Sequence, residues 1–79
     1  MISKKIDLLH LKADLKARVA EISGGSVLKH RMMSLGVYPG REIVKLSHIG
    51  LKGPVTIKVG RAHIAIGHSM AAKVILELE

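Results

Sequence analysis

The chain has 79 residues, which is enough for one small domain and no more. It has no Cys and a single aromatic residue, a Tyr, so disulfides, cysteine-ligated zinc and iron–sulfur centres are excluded and the core must be aliphatic. Thirteen Lys and Arg against six Asp and Glu give a net charge of +7, which favours an anionic partner such as nucleic acid, an acidic protein face or a membrane surface.

The chain begins with two apolar anchors and one short strand. Leu8 and Leu11 are the anchors, and residues 17–22 (ARVAEI) follow an imperfect apolar and polar alternation. We expect this segment to be the first strand, and Gly24 and Gly25 to end it.

A short helix is predicted next, over residues 27–35. Ser26 is expected to cap its first turn, and Gly36 stands where a left-handed residue would end it. Helical spacing divides its apolar side chains between a core face and an outward position, Met33. The residues expected on the core face are Leu28, Met32 and Leu35.

The second half of the chain changes to the two-residue period of strands. Residues 38–41 (YPGR) predict a tight turn, because Pro presets φ at its second position and Gly permits positive φ at its third. A small helical turn is predicted over residues 67–72. The strands are expected over residues 43–46, 55–59, 62–66 and 74–78.

These elements predict a mainly β fold: a small barrel of about five strands with one short α-helix between the first and second strands. Closure into a barrel would remove sheet edges that so small a domain could not otherwise protect. We expect residues 1–79 to form a single domain with its core over 8–78.

Catalysis is not expected. The serines stand in capping or turn contexts, and no glycine pattern of a nucleophile elbow surrounds any of them. The chain also lacks a signal peptide pattern and an apolar run of membrane-spanning length, so we expect a cytoplasmic protein without enzymatic activity.

The five histidines leave a metal site open, although they show no established ligand spacing. His63 and His68 are close in sequence, and Glu77 or Glu79 could add a carboxylate. A weak site for ferrous or another transition-metal ion is one interpretation, and solvated surface histidines are the other.

The basic side chains support a second class of function, the binding of RNA or DNA by a small basic barrel. Lys45, Lys58 and Arg61 are expected to point outward from the strands. Barrels that bind RNA usually add aromatic platforms for stacking, and Tyr38 is the only candidate here, so a solvated basic surface is favoured.

Taken in order, the motifs resemble the FeoA family over residues 8–78. The resemblance rests on the strand Arg18-Val-x-x-Ile22, the Gly24-Gly25 turn, and above all the block from Arg31 to Gly40 (RMMSLGVYPG). Gly53-Pro-Val55, Ile64-Ala-Ile-Gly67 and Met70-Ala-Ala-Lys-Val74 follow in the family's order. Two features depart from the family pattern: Ala13-Asp14 stand where Pro-Gly is frequent, and Met32 and Met33 replace leucines.

The resemblance implies an SH3-like barrel and a cytoplasmic accessory role beside FeoB, the membrane transporter of ferrous iron with its cytosolic GTP-binding portion. The expected mechanism is docking to that transporter, near the inner leaflet of the membrane. The formation of homo-oligomers is left open. We expect the docking surface at the end of the helix and the turn after it: Arg31, Met33, Leu35, Gly36, Tyr38, Pro39, Gly40 and Arg41.

Overall fold

The structure is a computed structural model that describes residues 4–50 and 52–78. Within these residues the chain forms six β-strands and two short helices. In chain order they are β1 (Lys4–Asp7), β2 (Lys16–Ile22), α1 (Ser26–Ser34), β3 (Glu42–His48), β4 (Val55–Val59), β5 (Ala62–Ile66), α2 (His68–Ala71) and β6 (Val74–Leu78).

All six strands belong to one antiparallel sheet with the order β1-β6-β2-β3-β4-β5. The prediction of a mainly β fold with a short helix is confirmed, and the four strands expected after the turn are all present. The small helical turn expected after β5 is α2.

The strand count and the place of the helix differ from the prediction. A strand, β1, precedes the segment that was expected to be first, so α1 lies between the second and third strands. Strand β1 forms by pairing with β6 at the other end of the chain, with Lys4 opposite Leu78 and Asp7 opposite Ile75. The sequence KKID carries no alternation of its own, and only this distant partner makes it a strand.

Hydrogen bonds do not close the described strands into a complete ring, which differs from the expected closure. Strands β1 and β5 are the two ends of the hydrogen-bonded order, so each has a neighbouring strand on one side only. Two bulges bend the sheet instead, one between Val19 and Glu21 and one between Lys45 and Ser47.

One aliphatic core lies under the sheet, as the composition predicted. Every strand from β2 to β6 contributes to it, as do Leu8 and Leu11 of the segment between β1 and β2. Helix α1 adds a single fully buried side chain, Met32. Neither helix of the described ranges is long and apolar enough to cross a membrane.

Helix α1 differs in two details from the prediction. Ser26 is its first residue, and Gly25 holds the N-cap position with extended backbone and no side-chain hydrogen bond. Leu35, expected on the core face, follows the helix and remains 38% exposed. Leu28 is half-buried, and Met33 points outward as predicted.

Of the three basic residues expected to point outward, Lys58 and Arg61 are exposed, whereas Lys45 is buried. Its side chain is only 3% exposed, on the same face of β3 as the buried Ile43. Its Nζ donates a hydrogen bond of 2.9 Å to the carbonyl oxygen of Leu9. Burial lowers the pKa of the Lys45 ammonium below its usual 10.5, and the charge of Asp7 offsets part of this effect.

Candidate functional site

The end of α1 is fixed by a glycine-dependent motif. Gly36 has a φ of +89°, and its N–H donates to the carbonyl of Met33 at 2.9 Å. The N–H of Val37 donates to the carbonyl of Met32 at 2.9 Å, which completes a Schellman motif. Val37 and Met32 are both fully buried, so the motif reverses the chain and anchors it in the core.

A tight turn follows at once and is tied to the sheet. The N–H of Arg41 donates to the carbonyl of Tyr38 at 3.0 Å, and Gly40 has a φ of +94°, as a type II turn with Pro39 at its second position requires. Gly40 and Arg41 exchange two 2.8 Å backbone hydrogen bonds with Val19 of β2. The turn is therefore a rigid extension of the sheet.

The aromatic ring of Tyr38 is held by the last residue of this turn. The guanidinium of Arg41 lies 5.8 Å from the ring centroid, and its Nη1 donates to the Tyr38 hydroxyl at 3.2 Å. The side chain of Arg41 also reaches the turn between β4 and β5. Its Nη2 lies 2.7 Å from the position that a Cβ on Gly60 would occupy. Tyr38 is exposed but its orientation is restrained.

An apolar groove of about 270 Å³ lies between this turn and the end of β2, and we name it the turn-side groove. Met33, which is 57% exposed, and Val37 form part of its wall. The lining residues are Glu21, Ile22, Lys29, Met33, Val37, Tyr38 and Pro39.

A second groove, of about 510 Å³, lies on the other side of α1, and we name it the glycine-side groove. Glycines and the first turn of α1 form one of its walls. Its lining residues are Gly24, Gly25, Ser26, Val27, Leu28, Arg31, Met70 and Lys73.

The structure divides the residues expected to form one docking surface. Met33, Tyr38 and Pro39 line the turn-side groove, with Arg41 behind Tyr38. Gly36 and Gly40 shape the backbone, and Leu35 is exposed beside them. Arg31 lies instead in the glycine-side groove, because it stands two residues before Met33 on a helix and so faces another direction.

Four lining residues were not among the expected set: two on β2, one on the helix, and Val37 in the segment after it. Glu21 and Ile22 join the turn-side groove because the turn is bonded to β2, and Lys29 stands one turn before Met33. The spacing of Lys29 and Met33 was readable from the sequence as a shared helix face. No sequence pattern brings β2 beside the turn.

The chain is similar to known proteins in sequence and in fold. The family model described as the FeoA domain matches residues 6–78. A crystal structure of an iron uptake regulatory protein (FeoA) is 30% identical, with a TM-score of 0.84 over 95% of this chain and 99% of that one. The chain belongs to the FeoA family.

Other solved structures show the same fold at lower identity. Iron(II) transport protein A from Clostridium thermocellum is 23% identical, with a TM-score of 0.84 over 92% of this FeoA-family chain and 45% of that one. FeoA from Stenotrophomonas maltophilia, described as a prokaryotic SH3 domain protein and solved with zinc, is 21% identical, with a TM-score of 0.76 over 90% and 88%. No protein with curated function matches.

The fold also occurs within longer chains. IdeR from T. acidophilum is 22% identical, with a TM-score of 0.82, and the alignment covers 95% of this FeoA-family chain but 34% of that one. At this identity the match shows the fold alone. The FeoA family itself is linked to ferrous iron transport.

The histidines expected to bind metal lie in different settings. His63 is exposed on β5, opposite Lys58 of β4, whereas His68 is half-buried at the start of α2. Glu77 lies on β6 opposite Arg18 and Lys5, and Glu79 lies outside the described residues. No group of three or more His, Asp or Glu side chains within residues 4–50 and 52–78 is arranged to hold a metal ion.

Proposed function

We propose that this FeoA-family chain acts as a non-enzymatic accessory of ferrous iron transport, which docks through its turn-side groove to the cytosolic portion of a FeoB-type transporter. One observation carries the proposal: exposed apolar side chains lie where a Schellman motif and a type II turn fix the backbone. Of six large apolar side chains exposed in the described ranges, three belong to the end of α1 and the segment after it: Met33, Leu35 and Tyr38.

A rigid apolar patch is suited to binding a protein. Contiguous exposed apolar surface marks interaction sites, and a surface that is already ordered loses little conformational entropy on binding. Met33 adds an adaptable apolar contact, and Tyr38 adds a large ring with few rotatable bonds. The Schellman motif and the type II turn hold both side chains at the rim of one groove.

The size of the groove favours a protein partner over a small ligand. Its volume of about 270 Å³ is below the roughly 300–1,000 Å³ of most small-molecule sites. Such a groove accommodates one or two side chains from a partner surface. Lys29 and Glu21 place one charge of each sign in the lining, and Arg41 lies behind Tyr38, so the preference for an acidic partner face rests mainly on the net charge of +7.

Binding to the transporter tests the proposal directly. The full chain is titrated against the FeoB-type transporter of the same organism, both as its cytosolic GTP-binding portion and as the full-length protein in lipid nanodiscs. Met33→Asp should weaken binding at least tenfold, because it places a charge in the apolar groove. Val27→Asp is the matched control, since Val27 is 83% exposed on the same helix but lines the other groove.

The outcomes separate the proposal from its rivals. Saturable binding that Met33→Asp removes and Val27→Asp leaves intact supports it. Equal losses in the two variants, or binding no stronger than that of a basic protein of equal charge, would contradict it. Binding to RNA or DNA that persists at physiological salt would instead support a nucleic-acid function, because purely electrostatic affinity falls steeply with salt.

A further inference from the structure

Two histidines that are distant in sequence meet at the end of the sheet away from the turn-side groove. His48 is the last residue of β3 and is paired with Val55 of β4, which is paired in turn with Ile66 of β5. His68 follows Ile66 by two residues and begins α2. The two imidazole rings lie with centroids 6.1 Å apart and planes inclined by 36°.

Each ring holds a nitrogen that has no hydrogen-bond partner. Within residues 4–50 and 52–78, His48 Nε2 and His68 Nδ1 are the side-chain nitrogen or oxygen atoms that are shielded from solvent and unpaired. A buried polar atom without a hydrogen-bond partner lowers the stability of a fold by roughly 1–3 kcal/mol. Two such atoms in neighbouring rings point to a ligand that binds both.

The chemistry of the two atoms selects the ligand. An imidazole nitrogen binds zinc, iron, nickel, cobalt or copper ions, whereas calcium and magnesium require oxygen ligands. With metal–nitrogen bonds of about 2.0–2.1 Å, two imidazoles on one ion have centroids roughly 5–6 Å apart. The observed 6.1 Å lies just above this range.

We propose that His48 and His68 form a two-histidine site for a divalent transition-metal ion, with water completing the coordination. The absence of a third His, Asp or Glu ligand among the described residues makes the site open and exchangeable, unlike a closed structural zinc site. The proposal keeps His68 of the predicted pair and replaces the exposed His63 with His48. It does not depend on the docking function.

Metal titration of the full chain tests this site. Zn²⁺, Co²⁺ and, without oxygen, Fe²⁺ are each titrated by calorimetry, and the histidine ring nitrogens are followed by ¹H–¹⁵N NMR. We expect one ion per chain, with shifts at His48 Nε2 and His68 Nδ1. His48→Gln and His68→Gln should each weaken binding at least tenfold, whereas His30→Gln and His63→Gln, at exposed positions, should not change it.

Thermal unfolding without metal separates a lost ligand from a lost fold. The two site variants should melt within a few degrees of the wild type, because neither His48 Nε2 nor His68 Nδ1 makes a hydrogen bond that the substitution would remove. Metal should raise the melting temperature of the wild type and not that of the variants. The absence of saturable binding, binding that both site variants retain, or metal shifts confined to other histidines would overturn the proposal.

Discussion

Two loops of this molecule are attached to the same sheet in different ways, one by backbone hydrogen bonds and the other also by a buried side chain. The segment from Leu35 to Arg41 is held by backbone hydrogen bonds to its own helix and to β2. The segment from Leu8 to Leu15, between β1 and β2, is held largely by one residue of another strand, Lys45.

The role of Lys45 in the second loop involves both its side chain and its backbone. Its Nζ donates to the Leu9 carbonyl at 2.9 Å, its backbone N–H donates to the Leu15 carbonyl at 3.1 Å, and its carbonyl accepts from the Asp14 N–H at 2.6 Å. Asp14 has a φ of +68°, so the loop includes a residue in the left-handed region. The buried ammonium of Lys45 therefore adds one long-range hydrogen bond to a loop that backbone hydrogen bonds also hold.

From this difference we infer that docking and stability can be changed separately in this domain. The turn-side groove combines a helix end and a tight turn set by local motifs with the backbone hydrogen bonds that join Gly40 and Arg41 to Val19 of β2. The opposite loop contributes Leu8 and Leu11 to the core and depends on a long-range contact. Variants in the two regions should therefore change different observables.

The largest effect is expected at Lys45. Lys45→Ala removes a buried aliphatic stem and the hydrogen bond to Leu9, and we expect the free energy of unfolding to fall by about 2–3 kcal/mol. Urea denaturation measures this change. At temperatures where the variant remains folded, its transporter binding should match the wild type, and a loss of binding by the folded variant would break the proposed separation.

A smaller loss is expected at Gly36, which holds the positive φ of the Schellman motif. Gly36→Ala should lower the free energy of unfolding by about 1–2 kcal/mol, because an L side chain is strained at φ +89°. Val59 Cγ1 would lie 3.4 Å from the new Cβ. Thermal and urea denaturation check the value, and transporter binding should weaken as well.

Gly25→Ala is the matched control for this change. Gly25 has an ordinary φ of −77° and open space around its Cβ position, so the remaining cost is the poor preference of Ala for the N-cap, and the free energy of unfolding should fall by less than about 1 kcal/mol. If the two variants lost the same unfolding free energy, the positive φ of Gly36 would not be what stabilises the turn after α1.

A small effect at neutral pH is also expected for Lys45→Met, which keeps the volume and removes the charge. We expect a change of less than about 1 kcal/mol, since a buried charge costs desolvation that offsets its hydrogen bond. The pH dependence is the sharper readout. Burial lowers the pKa of Lys45 in the folded state, so the unfolded state binds more protons as pH approaches 10.5.

The stability of the wild type relative to Lys45→Met should therefore rise with pH in the window below 10.5. Urea denaturation at a series of alkaline pH values measures this difference. A difference that stays flat or falls would show that the Lys45 ammonium is not buried in the folded state.

The parts of the fold that the sequence predicted are those set by nearby residues. Gly36 and the pair Pro39 and Gly40 specify a helix end and a turn through their own backbone preferences, and both were predicted correctly. The alternation of residues 55–59 likewise predicted β4 with its observed bounds.

The parts that were missed depend on distant partners. Lys45 points inward because of the register of β3, and its hydrogen-bond partner Leu9 is 36 residues away. Strand β1 exists only through β6, and Ile22 joins the turn-side groove only through the bonds between the turn and β2. No local pattern carries such information.

The most direct test of the docking surface is an NMR titration of the ¹⁵N-labelled full chain with the cytosolic portion of the FeoB-type transporter. The account predicts saturable shifts at Met33, Val37, Tyr38 and Gly40, and little change at Val27 and Lys73 of the glycine-side groove. Shifts centred on the glycine-side groove, or on the His48 and His68 end of the sheet, would contradict it.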